Sequence, residues 1–97
     1  MLHQAEILDF LKSYKQEKQD EYSIKRLGIF GSYARNEADE NSDIDIVVDL
    51  EKTTMFGLVA IKEDIEEYFK SHVDIVQIRE QMNTLLKNRI QRDAIYV

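Results

Sequence analysis

Apolar positions recur at helical spacing in the first stretch of the chain. Ile7, Leu8, Leu11 and Tyr14 stand three and four apart, which gathers them on one stripe and predicts a helix over about Leu2–Lys18. A polar break, Asp20–Ser23, separates it from Ile24–Phe30, a strand candidate carrying Leu27, Ile29 and Phe30. Gly31-Ser32 ends that strand. Tyr33–Asn36 then starts a short helix with Ser32 near its N-cap, and Glu37–Ser42 reads as a loop. From Asp43 to Leu50 the period changes to two. Ile44, Ile46, Val48 and Leu50 point one way, and Asp43, Asp45, Val47 and Asp49 the other, so this is a strand with one buried face. Thr53 or Thr54 caps a helix over about Met55–Lys70, with a stripe of Leu58, Ile61, Ile65 and Tyr68/Phe69 and a solvated acidic face at Glu63–Glu67. Ser71–Ile78 is a third strand built on Val73, Ile75 and Val76 and interrupted by Asp74. Glu80–Arg92 reads as a last helix, with Leu85, Leu86 and Ile90 on its apolar side.

The order α-β-(short α)-β-α-β-α favours an α/β layer, with helices packed on one face of a small sheet. The other face is then partly open, and the aspartates stand on it. Ninety-seven residues make a single domain, 1–97, with a modest core. No length remains for a separate substrate domain, so a large substrate surface is expected from a partner.

A net charge of -6 argues against a general nucleic-acid binder, which needs a basic face, so no direct nucleic-acid binding is expected. It leaves room for a nucleotide brought in with metal ions and for a basic protein partner. The absence of cysteine excludes a disulfide framework and a thiolate metal site. No apolar run reaches the roughly 18 residues of a membrane span, and the first residues lack the pattern of a signal peptide. The expectation is a cytoplasmic protein without a membrane partner.

Asp43 and Asp45 lie two apart on one strand, so they share a face, with Cα atoms roughly 6.5–7 Å apart. Asp74 interrupts another apolar strand. If the strands are neighbours, three carboxylates converge, and they need a counter-charge to stay ionised. A divalent cation with an all-oxygen donor set, Mg²⁺ or Mn²⁺ rather than Zn²⁺, is the usual solution. Two such ions about 3.5–4 Å apart clamp the attacking and leaving oxygens of a phosphoryl or nucleotidyl transfer. Gly31-Ser32, where a strand turns into a helix, offers N–H groups and a hydroxyl to a phosphate. Gly31 also allows close approach and positive φ.

Gly31-Ser32, ten intervening residues, Asp43-Ile44-Asp45 and the later Asp74 together resemble the nucleotidyltransferase signature of the DNA polymerase beta superfamily. The Ala34-Arg35 pair, the run Ser42–Leu50, the Met55–Leu58 helix start and the closing Ala94–Val97 are similar to the minimal nucleotidyltransferases in particular. The resemblance implies that superfamily's small mixed sheet backed by helices, an α+β arrangement. It implies two Mg²⁺ ions held by Asp43, Asp45 and Asp74, with Asp43 and Asp45 on the ion that bridges the triphosphate. Asp45 and Asp74 would hold the ion that activates the attacking hydroxyl, and Asp74 is a candidate general base. Gly31 and Ser32 would hold the nucleotide phosphates. Arg35 is either a phosphate contact or a surface arginine at a helix end.

Many minimal nucleotidyltransferases are antitoxins. They pair with an all-helical HEPN-domain ribonuclease toxin and transfer AMP from ATP to one of its tyrosines. The resemblance therefore implies ATP as substrate and a HEPN toxin as partner in a hetero-oligomer. Two other readings stay open: an antitoxin that acts by binding alone, and a small-molecule nucleotidyltransferase. Tyr33 either lines the nucleotide pocket or packs. His3 and His72 read as structural or surface residues, and Asp49 is undecided. Lys87, Arg89 and Arg92 give the last helix a basic bias that offsets its C-terminal dipole.

Overall fold

A computed structural model describes residues 2–97. The chain runs α1 (Gln4–Tyr22), β1 (Ile24–Phe30), α2 (Gly31–Ala34), β2 (Ile44–Leu50), α3 (Met55–Phe69), β3 (Val73–Gln77), α4 (Thr84–Asp93) and β4 (Ile95–Tyr96). The strands form one mixed sheet in the order β3-β2-β1-β4. β1 pairs antiparallel with β2 and with β4. β2 and β3 run parallel, which requires a crossover between them, and α3 supplies it. The fold is α+β, the arrangement that the resemblance implies, although helices lie on both faces of the sheet rather than on one.

The alternation along β2 decides the layers. Ile44, Ile46, Val48 and Leu50 face a core built with Ile7, Leu11 and Tyr14 of α1, Leu27 and Ile29 of β1, and Ile61 and Ile65 of α3. Most of these side chains lose all solvent contact, each worth on the order of 1.5–3 kcal/mol. Val47 faces the other way. With Phe30 and Ile90 it forms a second, smaller cluster, flanked by Val76, Ile78, Met82 and Leu86. Thus α1 and α3 cover one face, and α4 covers part of the other. What α4 leaves uncovered is the end of β2 and β3 that carries the aspartates.

Several local features differ from the sequence reading. α1 continues through the polar Asp20–Tyr22 and stops only at Ser23, whose φ of 57° is left-handed. Tyr22, its last residue, packs against the main core, so the helix persists through the polar Asp20 and Glu21 to that cap. Ser32 lies within the α2 turn rather than at its cap, which is Phe30. The acidic face of α3 is not wholly solvated: Tyr14 Oη donates to Asp64 (2.8 Å), and Glu66 accepts the Val73 N–H (3.0 Å). Tyr68 leaves the core and stacks on Phe10, ring centroids 4.1 Å apart. α4 begins at Thr84 rather than Glu80, because Asn83 Oδ1 accepts from the N–H groups of Leu85 and Leu86. Leu86 faces inward with Ile90, four positions on, and Leu85 is exposed to solvent.

β4 was not anticipated. It is two residues long, too short for a periodicity signal. Gly28 makes room for it: a Cβ there would collide with the Ile95 carbonyl.

Candidate active site

β2 and β3 lie side by side in register, pairing Ile44 with Val73, Asp45 with Asp74 and Ile46 with Ile75. Adjacent strands are about 4.8 Å apart. Asp45 and Asp74 are therefore direct neighbours on the face opposite the main core, and Asp43 stands one step further along the same side. All three sequence-designated acids share one end of the sheet. Asp45 is the most enclosed. Burial pushes its carboxyl above the ordinary value, the charge of Asp74 pushes the same way, and Asp43 adds a smaller push. Arg89 and Arg35 oppose them in part. Burial and like-charged neighbours both disfavour the ionised carboxylate here.

Gly31 completes the enclosure. Its φ is 73°, a conformation in which a side chain is strained. A Cβ at that position would run into the Asp45 carboxylate. The Gly-Ser turn is thus pressed against the central acid. The turn is held from behind by Gln4, whose Nε2 donates to the carbonyls of Tyr33 (3.2 Å) and Ala34 (2.8 Å). Tyr33 is buried in the main core; it packs and does not line the site.

A residue read as structural or surface lies within the cluster. His72 Nδ1 is 3.4 Å from Asp43 Oδ1 and 3.9 Å from Asp74 Oδ1. One donor atom from each of Asp43, His72 and Asp74 lies within 4.8 Å of the others. The signal was available in the sequence. His72 precedes Asp74 by two, the same spacing that puts Asp43 beside Asp45. Two carboxylates and an imidazole at this separation fit a divalent cation. Asp45 stands apart from this trio, with its carboxylate against Gly31.

Arg35 has another occupation. Its Nη1 donates to Asp93 (2.7 Å) and its Nε to Glu37 (3.0 Å). Asp93 is buried, and it also accepts from Arg92 Nε and Nη2 at 2.8 and 3.1 Å. These bonds hold its carboxyl down to about 2. The network ties the end of α4 to the residue that follows α2. No spacing in the sequence links positions 35 and 93, so this tie was out of reach until the fold was known. Asp49, at the far end of β2, pairs with Arg26 (3.1 Å) and takes no part in the cluster.

The arrangement is therefore an acidic sheet end, backed by a glycine turn and open to solvent. Asp43 and Asp74 are 50 and 54% exposed in their side chains. Residues 7–97 match the family model of the nucleotidyltransferase domain, and the chain belongs to that family. Within it, the chain is a minimal nucleotidyltransferase, an enzyme of the transferase class. It is 32% identical over 98 residues to the protein adenylyltransferase MntA of Thermococcus cleftensis, covering 100% of this chain and 98% of that one. Two solved structures share the fold with TM-scores of 0.70. One is a toxin–antitoxin with AMP-PNP, 20% identical, covering 88% of this chain and 70% of that one. The other is a tri-AMPylated Shewanella oneidensis HEPN toxin in complex with MNT antitoxin, 18% identical, covering 96% and 70%.

Proposed function

We propose that this chain is an Mg²⁺- and ATP-dependent antitoxin that transfers AMP to a tyrosine of a HEPN-domain toxin, its partner in a hetero-oligomer, and so neutralises it. The observation that carries the reading is the in-register pairing of Asp45 with Asp74, with Gly31 pressed against Asp45 and Asp43 alongside. The adenylyltransferase activity named for the Thermococcus relative supports the reaction. The AMPylated toxin complex of the same fold supports the partner. The openness of the acids supports a macromolecular acceptor. A small-molecule transferase must enclose its substrate, whereas half-exposed acids suit a surface that a docked protein closes.

Asp43, Asp45 and Asp74 would hold the Mg²⁺ ions, which supply charge neutralisation of the triphosphate and of the acceptor oxygen. Gly31 and Ser32 present backbone and hydroxyl to the phosphates. Asp74, the more open of the paired acids, accepts the proton of the acceptor phenol. The phenolic oxygen bonds to the α-phosphorus, the α–β anhydride bond breaks, and pyrophosphate leaves. Arg35, bound to Asp93, holds the turn in place. Such an enzyme works where ATP is abundant, in the cytoplasm.

Incubation with labelled ATP, Mg²⁺ and the cognate toxin tests this. Label should enter the toxin and vanish with Asp43→Asn, Asp45→Asn or a toxin lacking the acceptor tyrosine. Labelling that survives either Asp change would remove the assigned site. Full neutralisation by an Asp43→Asn protein that no longer labels would replace catalysis with binding alone.

A further inference from the structure

We propose that His72 is a direct ligand of a divalent cation at the Asp43–Asp74 edge and that it makes this chain prefer Mn²⁺ to Mg²⁺ there. This rests on the reading of the acids as metal ligands and extends it to a residue that the aspartate signature does not include. The geometry points to it. At metal–donor lengths of about 2.1 Å, two donors at right angles lie about 3 Å apart and two opposed donors about 4.2 Å apart. The Nδ1 separations of 3.4 and 3.9 Å from Asp43 and Asp74 fall between these limits. Small rotations of three exposed side chains close them around one ion.

The backbone that carries the imidazole is held in place. The His72 carbonyl accepts the Ile44 N–H at 3.0 Å, which ties its backbone to the strand between Asp43 and Asp45. The next residue, Val73, is fully buried and donates its N–H to Glu66 at 3.0 Å. His72 therefore sits between two anchored neighbours at the entry to β3, and its side chain emerges beside Asp74.

The chemistry sets the selectivity. Mg²⁺ takes oxygen donors and gives up water reluctantly. Imidazole adds affinity for first-row transition ions, least for Mn²⁺, which stands lowest in that row, and more for the ions after it. An Asp-Asp-His trio thus adds affinity for Mn²⁺ and little for Mg²⁺.

Metal binding by the intact chain, without nucleotide, tests this through calorimetry and through the electron-spin-echo spectrum of bound Mn²⁺. The wild type should show ¹⁴N coupling from one imidazole. His72→Ala should abolish that coupling and weaken Mn²⁺ binding at least roughly tenfold, with Mg²⁺ changed by less than about twofold. His3→Ala should change neither, and circular dichroism should show each variant folded. Unchanged Mn²⁺ affinity in His72→Ala, or no ¹⁴N coupling in the wild type, would mean His72 is only a neighbour of the acids. Asp74→Asn separates the two levels. If it loses both ions while His72→Ala keeps Mn²⁺, only the role of His72 falls. If it keeps both ions, the acidic site itself is misassigned, and the role of His72 falls with it.

Discussion

The carboxylate of Asp45 occupies the space in which a side chain at Gly31 would stand. The first motif residue and the central acid are therefore one contact, although thirteen positions separate them in the chain. Gly31→Ala should cost about 1–3 kcal/mol, from a strained positive φ and from displacing Asp45. Transfer activity should fall further than stability does. Thermal melts together with rates measured well below the melting point separate the two losses. Full activity in a folded Gly31→Ala protein would show that the contact is incidental.

Asp45 costs the fold stability at neutral pH. Its folded carboxyl lies above the ordinary value because it is buried beside Asp74. A raised acid favours the folded state only when protonated, so its contribution is present at low pH and lost as pH rises through the folded value. Metal-free Asp45→Asn should thus melt higher than wild type at pH 7. The gap should close below about pH 4, where both side chains are neutral. Added Mg²⁺ or Mn²⁺ should raise the wild-type melting temperature more than that of the variant.

Asp93 has the opposite sign. Arg92 and Arg35 hold it at about 2, below its unfolded value, so the stability it contributes is present above the unfolded value and is lost as pH falls through about 2. Asp93→Asn should be less stable than wild type at pH 7, and the difference should shrink progressively between about pH 5 and pH 2. Denaturant melts across that range give the profile. A gap that does not depend on pH would mean packing, not charge, accounts for the loss.

Asn83 starts α4, and α4 bears on the second face through Ile90 and Leu86. Asn83→Ala should cost about 1 kcal/mol. Because the helix is tied to Arg35 by Asp93, it should also raise the KM for nucleotide. Asn83→Asp, which keeps the cap, should restore both quantities. Urea melts and initial rates report them.

Much of this molecule is legible in the sequence, and what is not has physical reasons. The period-two run of β2 is strong because one face is buried and the other is not, so Ile44 and Asp45 separate cleanly. The stripe of α1 is equally clear. Leu85 and Tyr68 mislead because an apolar residue near a stripe need not be buried: Leu86 and Ile90, four apart, take the inward side of α4, and Phe10 offers Tyr68 a surface contact. β4 and the Arg35–Asp93 tie depend on chain segments far apart in sequence, and pattern alone cannot bring those together. His72 is a different case: its spacing from Asp74 was visible, but a lone histidine has meaning only once Asp43 is known to stand across from it.

The parallel pairing of β2 with β3 has a further consequence. Ile44 and Val73 flank the Asp45–Asp74 pair on one side, and Ile46 and Ile75 on the other. A slip of one residue would carry the apolar set out of the core at the same time as it parted the acids. The spacing of the paired carboxylates is thus gauged by the apolar side of the same strands. Acids on the open side can be exchanged one at a time without disturbing that gauge, so the scaffold can change its chemistry while keeping its alignment.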